Sequence, residues 1–320
     1  MNLIKEANYE EDMKNIVLPF LKQRMESGFF ERVKGQKIHY RIYTSDSPKA
    51  DLVMVHGFTE GIDKFNEAVY YFLNEGFNVW QIQQRGHGIS YREVSDPSLV
   101  SISDFHDLIE DLHYFVTGIV KKKNTGLPLY IYGHSMGGGV SAVYLETYPQ
   151  DFEKAILSSP MLELDSGGLP LWAAVIYARL MILIGKGNSY MPGNKPFSTT
   201  PDFENSCSNC RIRFDYWFRQ CCEKEEYRTC ACAVITALQF LKLTRFATKA
   251  ANCAKVRADV LLFQAGHDNM VKPGGQETFI RQIGSHGKLL RMDHAKHEIY
   301  LCTDSDQELY WDKVFSFFNN

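Results

Sequence analysis

The stretch IYGHSMGGGV, residues 131–140, decides the fold, because a strand-like apolar run changes there into a glycine-rich turn and then into a helical run. Ser135 lies in that turn, between Gly133 and Gly137. A sharp turn from strand to helix exposes one side chain in a strained conformation, so its neighbours must be small. The pattern Gly-x-Ser-x-Gly in this context predicts a nucleophile elbow, with Ser135 as the nucleophile.

Strand-like and helix-like segments alternate on both sides of this turn. Period-2 and continuous apolar runs predict strands at residues 29–33, 37–43, 51–55, 77–82, 129–132, 152–157, 258–263 and 288–291. Helical periodicity indicates helices at residues 1–26, 63–74, 102–120, 136–145 and 307–318. Such alternation predicts an α/β fold, with a mostly parallel central sheet flanked by helices.

The alternation stops between residues 160 and 256, where the chain has helical or irregular character, and then resumes. Because the interruption falls between two strands, we expect an inserted helical cap at residues 160–256. The α/β core is then formed by residues 1–159 and 257–320. Within the cap, residues 169–184 form an apolar run. A helix that is apolar nearly all round is buried, lines an apolar path or faces a membrane, and the sequence leaves these alternatives open.

Composition excludes several classes of protein. The chain has 320 residues, 45% hydrophobic and 23% charged, with a net charge of −3, so it has no basic footprint for nucleic acid. Charges interrupt the N-terminal segment, which therefore does not resemble a secretory signal. The run at residues 169–184 is short and interrupted for a membrane span. We expect a cytoplasmic protein, and a transient contact of the cap with the inner face of a membrane stays open.

Six of the eight cysteines lie between residues 207 and 232. The Cys207-x-x-Cys210 spacing resembles half of a zinc site, but the other spacings fit paired CxxC motifs poorly. Reduced thiols that pack as small apolar side chains are the better interpretation. We expect neither a metal nor an organic cofactor.

A serine nucleophile needs a histidine to take its proton and a carboxylate to orient that histidine. Asp268 follows the predicted strand at residues 258–263, and His297 lies in the loop after the next strand. Asp293 and His294 are rivals in that loop. We favour Ser135, Asp268 and His297 as the catalytic residues, and the choice of His297 rests partly on the resemblance described below.

Negative charge on a tetrahedral intermediate needs hydrogen-bond donors. The N–H of Met136, directly after the nucleophile, is one candidate, and the N–H of Phe58, in the loop after the strand at residues 51–55, is the other. We expect five neighbours to support the elbow and this oxyanion loop: Gly133, His134, Gly137, His56 and Gly57.

Six short motifs span most of the chain: HG at 56–57, RGHGIS at 85–90, GHSMGG at 133–138, SSPM at 158–161, AGHD at 265–268 and HEI at 297–299. Together they resemble the α/β-hydrolase superfamily, and within it the bacterial lysophospholipase and monoacylglycerol lipase group, also called serine aminopeptidase S33 or hydrolase-4. Gln83 departs from that group, which usually has an aspartate two residues before Arg85. Residues 185–193, GKGNSYMPG, also resemble the cap of the lysophospholipases.

The resemblance implies a serine hydrolase that cleaves the ester of a single-chain acyl lipid, a lysophospholipid or a monoacylglycerol, through an acyl-enzyme. A short-chain carboxylesterase and an S33-type aminopeptidase are alternatives within the same mechanism. The aminopeptidase would need acidic groups in the cap to bind a free amino terminus, and the candidates are Glu204, Glu223, Glu225 and Glu226. A non-catalytic ligand-binding protein is a further alternative, and the oligomeric state stays open.

Overall fold

The computed structural model describes residues 2–165 and 170–320. Its strands are β1 (Met25–Glu31), β2 (Lys37–Tyr43), β3 (Ala50–Val55), β4 (Phe77–Ile82), β5 (Leu99–Val100), β6 (Leu129–His134), β7 (Lys154–Ser158), β8 (Ala231–Cys232), β9 (Asp259–Ala265) and β10 (Gly287–Met292). Its α-helices are α1 (Tyr9–Asp12), α2 (Leu18–Lys22), α3 (Asn66–Asn74), α4 (His106–Phe115), α5 (Met136–Thr147), α6 (Leu171–Leu183), α7 (Arg211–Glu223), α8 (Val234–Ala247), α9 (Ala250–Cys253), α10 (Pro273–Ile283) and α11 (Asp304–Asn319).

Eight strands form one sheet in the order β1-β2-β4-β3-β6-β7-β9-β10. The pairs β1/β2 and β2/β4 are antiparallel, and all the others are parallel. The predicted mostly parallel sheet is therefore confirmed. The carboxyl ends of β3, β6, β9 and β10 meet at one edge of the sheet, which is where this class of fold places its chemistry.

Apolar side chains cover both faces of the sheet. Successive residues of a strand point to opposite faces, so in β3 Val53 and Val55 join one apolar cluster while Leu52 and Met54 join another. The first cluster includes residues of α4, α5 and α10, and the second includes residues of α3 and α11. Burial on both faces explains why β3 is continuously apolar over residues 52–55.

The N-terminal prediction is partly wrong. Helical turns end at Lys22, and residues 25 and 26, which were expected to be helical, begin β1, which pairs along its whole length with β2. A wide π-helical turn, Met13–Val17, separates α1 from α2, and Pro19 stands in the first turn of α2. Proline lacks the N–H for a normal helical hydrogen bond, which accounts for the widened turn before it. Gly35 supplies the positive φ of 83° in the hairpin turn.

The segment between β7 and β9 contains α6, α7, α8 and α9. It also contributes β8, which pairs in parallel with β5 and so joins the segment to the loop before α4, a pairing that the sequence analysis missed. Leu169, in the predicted apolar run, lies outside the described residues.

Helix α6 packs on α8 through Ala178, which contacts Val234 and Leu238. Its outer face is uncovered, with Trp172 68% and Leu183 81% exposed. Of the alternatives for this helix, complete burial is therefore wrong. Within residues 2–165 and 170–320, no helix is both long and apolar enough to cross a bilayer.

Candidate active site

The turn from β6 into α5 presents Ser135 in a conformation that side chains rarely adopt, with φ 53° and ψ −118°. Backbone hydrogen bonds hold it there from three directions. The Ser135 N–H donates to the carbonyl of Ser158 (3.0 Å), and the Ser135 carbonyl accepts from Gly139 (3.0 Å) and Met161 (2.8 Å). Such strain persists only where the surrounding structure fixes it, and it often marks functional sites.

The glycines that flank Ser135 are required by close backbone approach. A Cβ on Gly137 would lie 2.2 Å from the carbonyl oxygen of Val55, and a Cβ on Gly133 would lie 2.5 Å from Ser141 Oγ. Only glycine lets α5 begin this close to the end of β3. The sequence expectation that these positions must be small has a direct steric reason.

Ser135, His297 and Asp268 lie in a continuous hydrogen-bonded row. Ser135 Oγ is 2.7 Å from His297 Nε2, and His297 Nδ1 is 2.8 Å from Asp268 Oδ2. An ionised carboxylate only accepts, so Nδ1 carries the proton and donates it, which leaves Nε2 to accept the hydrogen of the serine hydroxyl. This arrangement lets the imidazole take a proton from Ser135.

Asp268 is held in its ionised form. Burial opposes the charge, but hydrogen bonds from His297 and from the backbone N–H groups of Val271 and Met270 outweigh burial and lower the pKa of Asp268. Its Oδ1 accepts from Met270 N (2.8 Å) and Val271 N (3.0 Å). The oxygen that faces His297 therefore has a fixed direction.

The two rivals in the histidine loop contact other groups. Asp293 is exposed and pairs with Arg291 (2.9 Å). His294 is also exposed, and its carbonyl accepts from Asn209 Nδ2 (3.2 Å). The geometry therefore favours Asp268 and His297 as the partners of Ser135.

The predicted oxyanion loop lies against the nucleophile. A Cβ on Gly57 would be 3.0 Å from Ser135 Cβ, so the segment His56-Gly57-Phe58 passes directly beside the serine. The Phe58 ring packs edge-on against Phe240 of α8, with ring centroids 5.2 Å apart. Met136 directly follows Ser135, and Phe58 directly follows Gly57, which lies against Ser135.

Two buried histidines stabilise this loop through hydrogen bonds to its backbone. His56 donates from Nδ1 to the Gly57 carbonyl (2.8 Å) and accepts the N–H of Gln84 at Nε2 (3.0 Å). His87 accepts the N–H of Thr59 at Nε2 (3.1 Å), and Thr59 has a φ of 58°. Burial lowers the pKa of both histidines, which keeps them neutral and able to accept.

His134, which directly precedes Ser135, packs beside the hydrogen-bonded row of Ser135, His297 and Asp268. It donates from Nδ1 to the Ser158 carbonyl (3.1 Å), and its ring lies 5.1 Å from that of His297. Burial lowers the pKa of His134 to about 3, so this imidazole is neutral at physiological pH.

Gln83 supports the loop that carries the RGHG motif. Its Oε1 accepts the N–H of Ile89 (3.2 Å), and its carbonyl accepts the hydroxyl of Ser90 (2.6 Å). A Cβ on Gly88 would lie 1.8 Å from Gln83 Nε2, so the glutamine occupies the space that this glycine leaves. The departure from the aspartate usual in the resembling group therefore has a local structural role.

Three charged residues beside the row were missed by the sequence analysis: Glu60, Lys64 and Glu298. They form a buried ionic cluster between the oxyanion loop and the histidine loop. In the sequence, Glu60 and Lys64 are four residues apart, and Glu298 directly follows His297. Both patterns are too common to indicate a function by themselves.

A cavity of about 520 Å³ lies between the segment that separates β7 from β9 and the rest of the described chain. Thr59, Lys64 and Glu298 line one side of it, and the other side includes Phe197, Phe214, Trp217, Phe218 and Cys207. Of the cap glutamates considered for an amino terminus, Glu223 lines a different pocket, together with Glu10 and Arg219.

All eight cysteines are free thiols. In the part of the chain that the structure describes, no three His, Cys, Asp or Glu side chains come close enough to hold a metal ion. Burial raises the pKa of Cys207 and of Cys221 to about 12, which keeps these thiols protonated.

A parallel sheet with Ser135 at a strand-to-helix turn, and with an acid and a histidine after later strands, defines an α/β-hydrolase. The chain belongs to the serine aminopeptidase S33 family, whose sequence model matches residues 46–304. This finding confirms the resemblance that the motifs indicated.

Individual relatives agree with this assignment. The chain is 31% identical to the monoacylglycerol lipase of Mycolicibacterium smegmatis over 147 residues, 46% of this chain and 50% of that protein. It is 25% identical to the probable lysophospholipase L2 of Haemophilus influenzae over 226 residues, 68% of each. The match thus spans about half of the first relative and two thirds of the second.

The fold is shared with solved structures. A soluble variant of the monoglyceride lipase of Saccharomyces cerevisiae, in complex with a substrate analogue, superposes with a TM-score of 0.74 at 19% identity, covering 92% of this chain and 94% of that one. At this identity the similarity is one of fold.

Proposed function

We propose that this protein is a serine hydrolase that cleaves the carboxylic ester of a single-chain acyl lipid. The observation that carries the proposal is the hydrogen-bonded row Ser135, His297 and Asp268, with spacings of 2.7 and 2.8 Å, at a strained strand-to-helix turn. The names of the relatives, monoacylglycerol lipase and lysophospholipase L2, support the substrate class.

In the proposed reaction, Ser135 Oγ attacks the ester carbonyl carbon while its proton passes to His297 Nε2. The N–H groups of Phe58 and Met136 stabilise the oxyanion, each donor contributing about 3 kcal/mol. The intermediate collapses, and the leaving alcohol oxygen takes the proton from His297. Asp268 stabilises the imidazolium and fixes its orientation.

The acyl-enzyme is resolved by the reverse sequence. His297 Nε2 takes a proton from water, the hydroxide oxygen bonds to the acyl carbon, and the bond from that carbon to Ser135 Oγ breaks as the serine recovers its proton. The products are a fatty acid and the free alcohol. In both halves of the reaction, His297 accepts the proton from the attacking oxygen and donates it to the leaving oxygen.

The cavity between core and cap supports a lipid substrate. Its volume of about 520 Å³ is in the range of small-molecule sites, and its cap side is rich in aromatic side chains. We assign residues 160–256 as the inserted cap and residues 1–159 and 257–320 as the hydrolase core. The cap contributes Phe214, Trp217 and Phe218, and the core contributes Thr59 and Glu298.

The outer face of α6 is proposed to contact the lipid surface that carries the substrate. Trp172, Ile176, Leu180, Leu183 and Ile184 are each at least half exposed. The helix contains no acidic residue. Contiguous exposed apolar surface of this kind marks interaction sites. Eight free thiols suit a reducing compartment, so we place this activity in the cytoplasm, at a membrane surface.

A fluorophosphonate probe tests the nucleophile, and fatty-acid release tests the substrate. We expect the probe to label the wild-type protein at Ser135, and we expect both labelling and fatty-acid release to disappear in Ser135→Ala. Ser141→Ala, whose hydroxyl donates to the Gly137 carbonyl inside α5, is the matched control and should stay labelled.

Parallel assays with lysophosphatidylcholine, monoacylglycerol, a short-chain ester and an aminoacyl amide rank the substrates. Labelling with turnover of only the short ester or only the amide would replace the lipid assignment by carboxylesterase or aminopeptidase activity. A folded wild-type protein that is not labelled contradicts the catalytic proposal and favours a ligand-binding role.

A further inference from the structure

Three charged side chains that the proposed reaction does not use lie buried beside it. The side chains of Glu60, Lys64 and Glu298 are 5%, 7% and 14% exposed. Lys64 Nζ lies 3.0 Å from Glu60 Oε1 and 2.5 Å from Glu298 Oε1, so one ammonium joins two carboxylates. We call this arrangement the Glu60–Lys64–Glu298 bridge.

One end of the bridge holds the oxyanion loop. Glu60 Oε2 accepts the backbone N–H of Gly57 at 2.7 Å. Gly57 lies against Ser135 and directly precedes Phe58, the expected oxyanion donor. The Glu60 carboxylate therefore fixes the peptide unit that directly precedes the one carrying the Phe58 N–H.

The other end of the bridge holds the histidine loop. Glu298 directly follows His297, and its N–H donates to the carbonyl of Cys207 in the segment before α7 (3.0 Å). Tyr300 reinforces the link, because its hydroxyl donates to Glu60 Oε1 at 2.7 Å. Two contacts thus connect the histidine loop to the carboxylate that orients the oxyanion loop.

Lys64 and Glu60 stay charged around neutral pH. Burial opposes the charge on Lys64, but Glu298 and Glu60 outweigh burial and raise its pKa. Burial likewise opposes the charge on Glu60, and the charge of Lys64 together with the hydrogen bond from Tyr300 outweighs burial and lowers the pKa of Glu60. A buried ammonium with two carboxylate partners has a defined position, which a solvated pair lacks.

We propose that Lys64 is a positioning residue, which fixes the oxyanion loop relative to His297 through Glu60 and Glu298. This inference rests on the proposed function, since both loops must act on one substrate carbonyl. Catalytic groups must be held within about 0.5 Å of their productive positions, and a displacement of about 1 Å costs on the order of a hundredfold in rate. The bridge is the part of the described structure that ties both loops to one cation.

Steady-state kinetics on a soluble short-chain ester test the inference. We expect Lys64→Met and Glu298→Gln each to lower kcat by about tenfold or more while KM changes by less than about threefold. The double variant should be little slower than the slower single variant, because both substitutions break the same bridge. Lys64→Arg, which keeps the charge, should recover a large part of kcat.

Arg41→Met is the matched control. It breaks the pair of Arg41 with Asp63, which belongs to the same short helix as Lys64, Ile62–Phe65, and is also mostly buried. If Lys64→Met acted only by loosening that helix, kcat would fall as much in Arg41→Met as in Lys64→Met. That result would overturn the proposal. If Lys64→Met does not fold, the isosteric Glu298→Gln still decides the question.

Two failures can be told apart by Ser135→Ala. A wild-type protein without Ser135-dependent turnover overturns both the function and this inference. Ser135-dependent turnover that persists unchanged in Lys64→Met and Glu298→Gln overturns the positioning role alone. Additive losses in the double variant would likewise show that the two residues act separately.

Discussion

At the residue scale, the chemistry of the site depends on which nitrogen of His297 carries a proton. Asp268 has one oxygen fixed by two backbone N–H groups and the other directed at His297 Nδ1. This arrangement selects the tautomer in which Nε2 is free to accept from Ser135. Asp268 is therefore connected to Ser135 through the imidazole of His297. His297 is 162 residues away from Ser135 in sequence.

Replacing the carboxylate by an amide tests that dependence. In Asp268→Asn the amide can donate to Nδ1, which favours the tautomer with the proton on Nε2 and removes the acceptor for Ser135. We expect kcat to fall by about 10⁴ while the fold is kept. Ester hydrolysis and thermal unfolding of the variant measure the two effects.

Asp293→Asn is the control for Asp268→Asn. Asp293 is an exposed carboxylate in the histidine loop and pairs with Arg291. Its replacement should leave kcat within about twofold, as surface changes usually do. Equal losses in the two variants would mean that Asp268 has no special role.

At the element scale, the helix α5 that begins at the nucleophile ends in a second buried polar cluster. Glu146 of α5 accepts from Cys253 of α9 (3.3 Å), and Cys253 also lies 3.0 Å from Gln282 Oε1 of α10. Glu146 Oε2 has no partner within the described structure. Burial without a cationic partner raises the pKa of Glu146 from 4.5 to about 8.

This shift predicts a pH-dependent stability. Between its unfolded pKa of 4.5 and its folded pKa of about 8, Glu146 keeps its proton in the folded state and loses it in the unfolded state. The free energy of unfolding then falls as pH rises through that window, by at most about 1.4 kcal/mol per pH unit. Glu146→Gln, which mimics the protonated acid, lacks this loss and should gain stability over the wild type as pH rises.

Urea unfolding of wild type and Glu146→Gln at several pH values between 5 and 8 measures the difference. Glu277→Gln, at an exposed position of α10, is the control and should follow the wild-type profile. Parallel profiles for wild type and Glu146→Gln would show that the buried acid does not bind a proton in this range.

The elements differ in how well the sequence predicts them. Strand β4 was predicted at its observed bounds, because its four apolar residues within six positions form a local pattern. Strand β1 was not, because residues 25–28 become a strand only by pairing with β2. The pairing of β5 with β8 joins segments more than a hundred residues apart, and such long-range contacts leave no local pattern.

The candidate site shows the same division. Ser135, Asp268 and His297 could be proposed from the sequence because each stands in a recognisable motif after a strand. Glu60, Lys64 and Glu298 could not, because their common feature is a shared burial that arises only when two loops meet. The exposure of α6 was also undecided, since an apolar sequence is compatible with a buried or an uncovered helix.

At the scale of the whole molecule, one buried arginine ties α7 to three distant parts of the chain. Arg213 of α7 is fully buried and pairs with Glu67 of α3 (3.1 Å). Its guanidinium also donates to the carbonyls of Ile4 (2.8 Å) and Cys302 (3.1 Å). Helix α7 is thereby fixed to the N-terminal segment, to α3 and to the segment before α11.

We expect Arg213→Met to destabilise the protein by about 3–5 kcal/mol, because it leaves Glu67 buried without its counter-ion. Arg211→Met, two residues earlier in α7, breaks an exposed pair with Asp215 and should cost less than about 1 kcal/mol. Urea unfolding measures both variants. Similar stabilities would show that Arg213 contributes little to anchoring α7.

Unlike α7, helix α6 has an apolar outer face that no other part of the described chain covers. This exposed face leads to a test of membrane contact. In Trp172→Ser/Leu183→Ser, two side chains that are 68% and 81% exposed lose their apolar surface, so the folded protein should remain stable. If α6 enters a lipid surface, their loss should weaken binding to phosphatidylcholine vesicles by about tenfold or more, since burial of each apolar side chain contributes about 1.5–3 kcal/mol.

Phe29→Ser, at a half-exposed position of β1, removes similar apolar surface elsewhere and should leave vesicle binding unchanged. Co-sedimentation with vesicles measures binding, and turnover of a soluble short-chain ester should be the same in all three proteins. Equal sedimentation of the α6 variant and wild type would rule out this helix as the lipid-binding face.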